Sequence, residues 1–212
     1  MVSSDVVNDN VAMAQKVFAD ELRQLSPGGR ALALQVFEKF TPNYFWTAPA
    51  SSTGKYHPAI SSGRGGVVRH TKYAFWWVQN LGRAFSIDPG SMEMDACLTS
   101  ILLHDLRKFG ATADPVTGRS RCGNTTSTHG VELGQLIQDA FASNDRDVFK
   151  EIVIAGIVGH MGKWTSPEAA SCWNVVVSSS KVRQCVILVH IADMAAAQKA
   201  DECLDLLDVL KD

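Results

Sequence analysis

The 212-residue chain carries a formal charge of −2, with 46% hydrophobic and 20% charged residues, an ordinary balance for a folded globular protein. That charge excludes the broad basic face needed to coat long nucleic acid. No apolar run reaches the roughly 18 residues that a membrane span requires.

Five cysteines, an odd number without a CxxC pair, fit a reducing compartment better than a disulfide framework. Cys97, Cys172, Cys185 and Cys203 read as small buried hydrophobes, whereas Cys122 lies in a polar loop. The stretch Met1 to Asn10 is polar and acidic and does not read as a signal peptide. The expectation is a cytoplasmic protein.

Apolar periodicity predicts an all-α fold. Val11, Ala14, Val17, Phe18, Leu22 and Leu25 recur at helical steps, with Ser26-Pro27-Gly28-Gly29 closing that helix. A second helix is predicted over 30–40, and a long ordered loop rich in Pro, Ser and Gly from Thr41 to Gly66. Loops of that length inside a compact domain are usually functional. Helices are predicted over 67–85 and 92–108, followed by a second loop over 110–128. Further helices are expected at 129–142, 145–160, 167–177 and 181–199, with a short amphipathic tail helix over 201–210. Val175-Val176-Val177 is a β-branched run, read as a helix end rather than a strand. A chain of this length can bury about 70% of its unfolded surface, so one domain over 1–212 is expected. Within it, N-terminal helices span 1–40, the core spans 41–200 and a C-terminal helix spans 201–212.

Four histidines and two aspartates carry the chemistry. His104-Asp105 ends an apolar stretch, His70 lies upstream, and His129, His160 and Asp193 follow downstream. On a helix, Asp105 and Lys108 are three apart and His104 and Lys108 four apart, so the three share a face. A single buried histidine on an apolar helix is more often a hydrogen-bonded core residue than a ligand. Imidazoles mixed with carboxylates suit Mn, Fe, Co, Ni or Zn better than Mg alone.

The ordered set H…HD…H…H…D resembles the six-ligand, binuclear form of the HD superfamily of metal-dependent phosphohydrolases, over about residues 40 to 200. The resemblance implies a single HD-domain helical bundle with its metal site in the core. It implies two divalent transition-metal ions, Mn, Fe, Co, Ni or Zn. His70, His104, Asp105 and Asp193 would bind the first, and Asp105 would bridge to a second held by His129 and His160. Lys108 matches the family's HDxxK pattern. Pro49-Ala50, Lys55-Tyr56-His57-Pro58 and Gly65-Gly66-Val67-Val68-Arg69-His70-Thr71 are similar to the segment before the first ligand in bacterial HD-type 3′→5′ exoribonucleases. Those proteins carry an additional oligonucleotide-binding domain for which this chain has no room.

The resemblance points to hydrolysis of a phosphate ester by a metal-activated water. Asp105, Lys108 and His57 are the candidate catalytic residues. Lys55, Arg64, Arg69, Arg107 and Lys163 are the candidate substrate contacts, because cations cluster around the ligand segments of a near-neutral chain. Lys72, Arg119 and Arg121 belong to the same set of cations, although for most of them a solvated surface position is the simpler reading. His190, three residues before Asp193, is a candidate for orienting that carboxylate. Trp76, Trp77 and Trp164 read as packing residues that also offer faces for stacking on a base.

The expected substrate is a small phosphorylated molecule: a nucleotide, a cyclic nucleotide or a short oligonucleotide. Three other readings stay open: a 3′→5′ exonuclease on short single strands, a di-iron oxygenase with the same ligand order, and a non-catalytic nucleotide-binding module. No membrane partner is expected. Leu204, Leu207 and Leu210 leave homo-oligomerisation open.

Overall fold

The computed structural model describes residues 4–51, 57–110, 126–142, 147–162 and 180–197. Among these residues every regular element is helical. In chain order they are α1 (Ser4–Val17), α2 (Ala19–Gln24), α3 (Pro27–Phe40), α4 (Gly66–Leu81), α5 (Met92–Leu103), α6 (His129–Ala140), α7 (Val148–Gly159) and α8 (Ser180–Ala197). Short 3-10 turns at Ala59–Ser61 and Gly82–Phe85 flank α4. None of these helices is long and apolar enough to cross a membrane. The helices expected at 167–177 and 201–210 lie outside the described residues, as do Val175-Val176-Val177, Cys122, Cys172 and Cys203.

Capping chemistry explains several helix starts. Ser91 Oγ accepts the Met94 amide at 3.1 Å, and Asp147 Oδ1 accepts the Lys150 amide at 3.1 Å. Ser26-Pro27, read from the sequence as closing the first helix, opens α3 instead. Ser26 Oγ accepts the Gly29 amide at 3.0 Å, and Pro27 supplies a preset φ where no amide hydrogen is needed. The helix predicted through Leu25 breaks at Phe18, whose backbone (φ −107, ψ 31) separates α1 from α2.

Helix α5 is the centre of the bundle. Met94 and every residue from Ala96 to Leu103 are buried, because α3, α4, α7 and α8 all pack against it. A helix apolar on all sides demands such a surrounding. It is shorter than the sequence suggests. After Leu103 the chain tightens into turns closed three residues apart, with Leu106 N to Leu103 O at 3.0 Å and Lys108 N to Asp105 O at 3.1 Å. Tyr44 anchors this turn, its hydroxyl donating to the Gly110 carbonyl at 2.6 Å and accepting the Phe109 amide at 3.1 Å.

The described parts of the 41–65 loop, residues 41–51 and 57–65, are laid against the start of α4. The Val67 amide donates to the Ala48 carbonyl at 3.0 Å and the Gly65 amide to the Thr47 carbonyl at 2.9 Å. A Cβ on Gly66 would stand 2.0 Å from the Ser61 carbonyl oxygen, so only glycine admits this approach. The contact brings His57 beside the histidine one turn further along α4.

Candidate metal centre

Six side chains converge from five segments: His70 on α4, His104 and Asp105 just past α5, His129 opening α6, His160 just past α7 and Asp193 on α8. The four imidazoles are fully buried, with at most 1% exposure, and Asp105 is exposed by only 1%. Their donor atoms fall into two halves that meet at Asp105 and also along one edge, where His160 lies within 4.8 Å of His104 and Asp193.

In the first half His70 Nε2 lies 2.8 Å from Asp193 Oδ1 and 3.4 Å from His104 Nε2. His104 Nε2 is 3.4 Å from Asp193 Oδ1 and 3.5 Å from Asp105 Oδ2. In the second half His129 Nε2 is 3.0 Å from His160 Nε2 and 3.2 Å from Asp105 Oδ1. The two carboxylate oxygens of Asp105 therefore face different groups of imidazoles.

Backbone carbonyls aim three of the rings. His104 Nδ1 donates to the Ile101 carbonyl at 2.7 Å, His160 Nδ1 to that of Ile157 at 2.7 Å, and His129 Nδ1 to that of Thr126 at 2.6 Å. Ile101 and Ile157 belong to the last turns of α5 and α7, where carbonyls lack intrahelical partners. His104 and His160 thus cap their own helices with one nitrogen, His129 ties itself to the loop before α6, and all three present the other nitrogen inward. With the proton on Nδ1, the inward Nε2 atoms carry lone pairs.

That donor set fits a cation. The lone pairs of His129 and His160 oppose one another at 3.0 Å, a repulsion that a shared positive ion reverses. Asp105 Oδ1 is buried without a hydrogen bond among the described residues. With metal–ligand bonds of about 2.1 Å, neighbouring donors stand about 3.0 Å apart at a right angle and about 3.4 Å apart at the tetrahedral angle. The separations in both halves bracket those values.

Electrostatics charge the two carboxylates and set the histidines apart from one another. Burial opposes the charge on Asp105, but Lys108, His104 and His129 outweigh it and hold the carboxyl well below its usual range. Burial likewise opposes charge on Asp193, and bonds with His104 and His70 outweigh it. Burial alone would depress His104, yet Asp105 and Asp193 beside it give a net rise. His160 is pushed down to about 3, first by burial and then by His129 and His104, so its imidazole is neutral at ordinary pH.

Lys108 is 8% exposed and its ammonium pairs with Asp105 Oδ2, the oxygen facing the first half. His57 sits edge-on to His70 with ring centroids 5.0 Å apart, and its Nδ1 is buried without a hydrogen bond among the described residues. Burial, then Lys108 and His70, lower its pKa to about 3.

The structure separates the expected substrate cations. Arg69 is engaged structurally, its guanidinium donating to the Ile60 and Ser62 carbonyls and holding the loop against α4. Lys72 bonds Glu21 at 3.0 Å on the far side of α4, where its ammonium lies 5.6 Å from the Phe18 ring centroid. Arg64 is exposed, and Arg107 is half-buried beside the Asp105 turn with its Nε unpartnered among the described residues. Lys55, Lys163, Arg119, Arg121 and Trp164 lie outside the described residues. Trp76 is 47% exposed and stacks on Tyr73 at 5.9 Å, while Trp77 packs against the core.

His190, the candidate for orienting Asp193, donates its Nδ1 hydrogen to the His160 carbonyl at 2.6 Å. Sequence reasoning overlooked Tyr44, which holds the Asp105 turn from 66 residues away in the chain. No local pattern announces such a contact.

The chain matches no family model, no curated protein and no solved structure.

Proposed function

We propose that this chain is a binuclear metal-dependent phosphohydrolase or phosphodiesterase of the HD type, acting on a nucleotide, cyclic nucleotide or short oligonucleotide. The observation that carries the reading is the division of the Asp105 carboxylate, with one oxygen toward His70 and His104 and the other toward His129 and His160. His70, His104, Asp105 and Asp193 would hold one divalent transition-metal ion. Asp105, His129 and His160 would hold another, and Mn, Fe, Co, Ni and Zn all suit this mixture of imidazole and carboxylate. When bound, such a pair acidifies water toward neutral pH and offsets charge on a phosphoryl group.

The chain's own residues supply the rest. Carbonyl bonds to Nδ1 fix the three rings before substrate arrives, so no reorientation is needed during the reaction. Lys108 places an ammonium at the edge of the first half, where it would donate a hydrogen bond to a phosphoryl oxygen of bound substrate. His57, kept neutral by burial, offers a hydrogen bond to substrate or leaving group over His70. Arg64, exposed ahead of α4, and Arg107, half-buried beside the Asp105 turn, remain the described candidates among the arginines for contact with substrate. The near-neutral charge of the chain favours small substrates over long RNA.

Elemental analysis of the purified protein, followed by Mn-supplemented assays on nucleotides, cyclic dinucleotides and short oligonucleotides, tests the reading. Metal near two equivalents with phosphate-ester hydrolysis is the expected result. Stepwise release of mononucleotides would redirect it to an exonuclease, and oxygen consumption to a di-iron oxygenase. Absence of bound metal after supplementation would overturn it.

A further inference from the structure

We infer that His190 is a positioning residue for the second half of the centre, clamping the backbone of His160 onto the helix that carries Asp193. The inference rests on the metal-centre reading proposed above. Helix α7 ends at Gly159, so the His160 carbonyl lies where the helix leaves acceptors unpartnered. The His190 ring satisfies that carbonyl at 2.6 Å from α8. His160 is therefore fixed twice, by its own Nδ1 on Ile157 and by its carbonyl on His190.

A second observation shows that the neighbouring backbone is shaped around the same ring. Gly162 adopts φ +54, and a Cβ there would stand 2.6 Å from His190 Cε1, 2.8 Å from Nε2 and 3.0 Å from Nδ1. Glycine is required by the left-handed backbone and again by the imidazole lying over it. Since His190 and Asp193 are one helical turn apart on α8, one rigid element contributes a donor to the first half and sets the second. Loosening His160 by a fraction of an ångström widens the His129–His160–Asp105 group while leaving His70, His104 and Asp193 in place.

Mn²⁺ titration of the full chain, followed by electron paramagnetic resonance and equilibrium metal content, tests this. His190→Ala is expected to weaken the second equivalent by about 10- to 100-fold, the usual effect of removing such a partner. The first equivalent should bind as in the unmodified protein, and the exchange-coupled spectrum of a Mn pair should give way to that of an isolated ion. His190→Asn, whose amide nitrogen can replace Nδ1 as donor, should restore much of the second equivalent. Gly162→Ala, which displaces the ring without removing it, should reproduce the loss and decides the matter should His190→Ala not fold. Two equivalents bound at unchanged affinity in His190→Ala or Gly162→Ala would overturn the inference while leaving the metal centre standing. An unmodified protein that takes up no Mn²⁺ would instead overturn the reading on which it rests.

Discussion

The two halves of the centre are built from the same side-chain types but differ in charge. The first is flanked by two carboxylates, Asp105 and Asp193, with the Lys108 ammonium and a raised His104 nearby. The second has two buried imidazoles, its share of Asp105 and, beside His160 alone, the more distant Asp193, and His160 resists protonation down to about 3. Their supports differ too. His129 and His160 are each held at Nδ1 by a carbonyl three residues earlier, whereas His70 Nδ1 has no hydrogen bond among the described residues and is placed by helix α4 and by Asp193. Charge thus favours the first half as the tighter cation site, while backbone geometry makes the second the more preorganised one.

The largest expected effect removes what the halves share. Asp105→Ala should bring both metal occupancy and turnover to background, with circular dichroism still reporting a helical fold. Full activity in that variant would break the comparison outright. One step smaller, His129→Ala should leave one Mn²⁺ equivalent at unchanged affinity, whereas Asp193→Ala should weaken the first equivalent by at least about 10- to 100-fold. Titration by calorimetry separates the two, and loss of both equivalents in His129→Ala would show that the halves are not independent.

Lys108→Ala sharpens the contrast from the side of the substrate. Removing one charge-assisted hydrogen bond costs about 1.5–3 kcal/mol, so KM should rise about 10- to 100-fold with metal content preserved. A fall in occupancy with unchanged kinetics per metal would make Lys108 structural.

The smallest effect concerns pH in the metal-stripped protein. His57 and His160 have folded pKa values near 3 against an ordinary 6.5, so below about pH 6.5 the unfolded chain takes up protons that the folded chain refuses. Their stabilisation is present above that pH and lost as pH falls toward 3. The slope approaches about 1.4 kcal/mol per pH unit for buried His160 and is less for the partly exposed His57. His104 works in the opposite sense, its contribution being lost as pH rises through its raised value. Denaturation midpoints in chelator should therefore peak near neutrality, and a midpoint flat between pH 4 and 6.5 would contradict the burial of His160.

Not every part of this arrangement was visible before folding. Helices α4 through α8 follow from apolar residues at three- and four-residue steps, a local property that survives in any tertiary setting. The order of His70, His104, Asp105, His129, His160 and Asp193 was equally legible, since side-chain identity is sequence itself. Ser26-Pro27 misled because the same residues can end one helix or cap the next, and only the Gly29 amide decides which. The tight turn after Leu103 escaped because periodicity continues through Leu106 although the helix does not.

Local sequence thus determined the helical class and the kinds and order of the donors. Tertiary structure alone decided which oxygen of Asp105 faces which imidazoles, that Arg69 serves its loop, and that His190 grips the His160 carbonyl. Those outcomes depend on packing between helices far apart in the chain. A ring's hydrogen-bond partner is whichever backbone group that packing brings within about 3 Å.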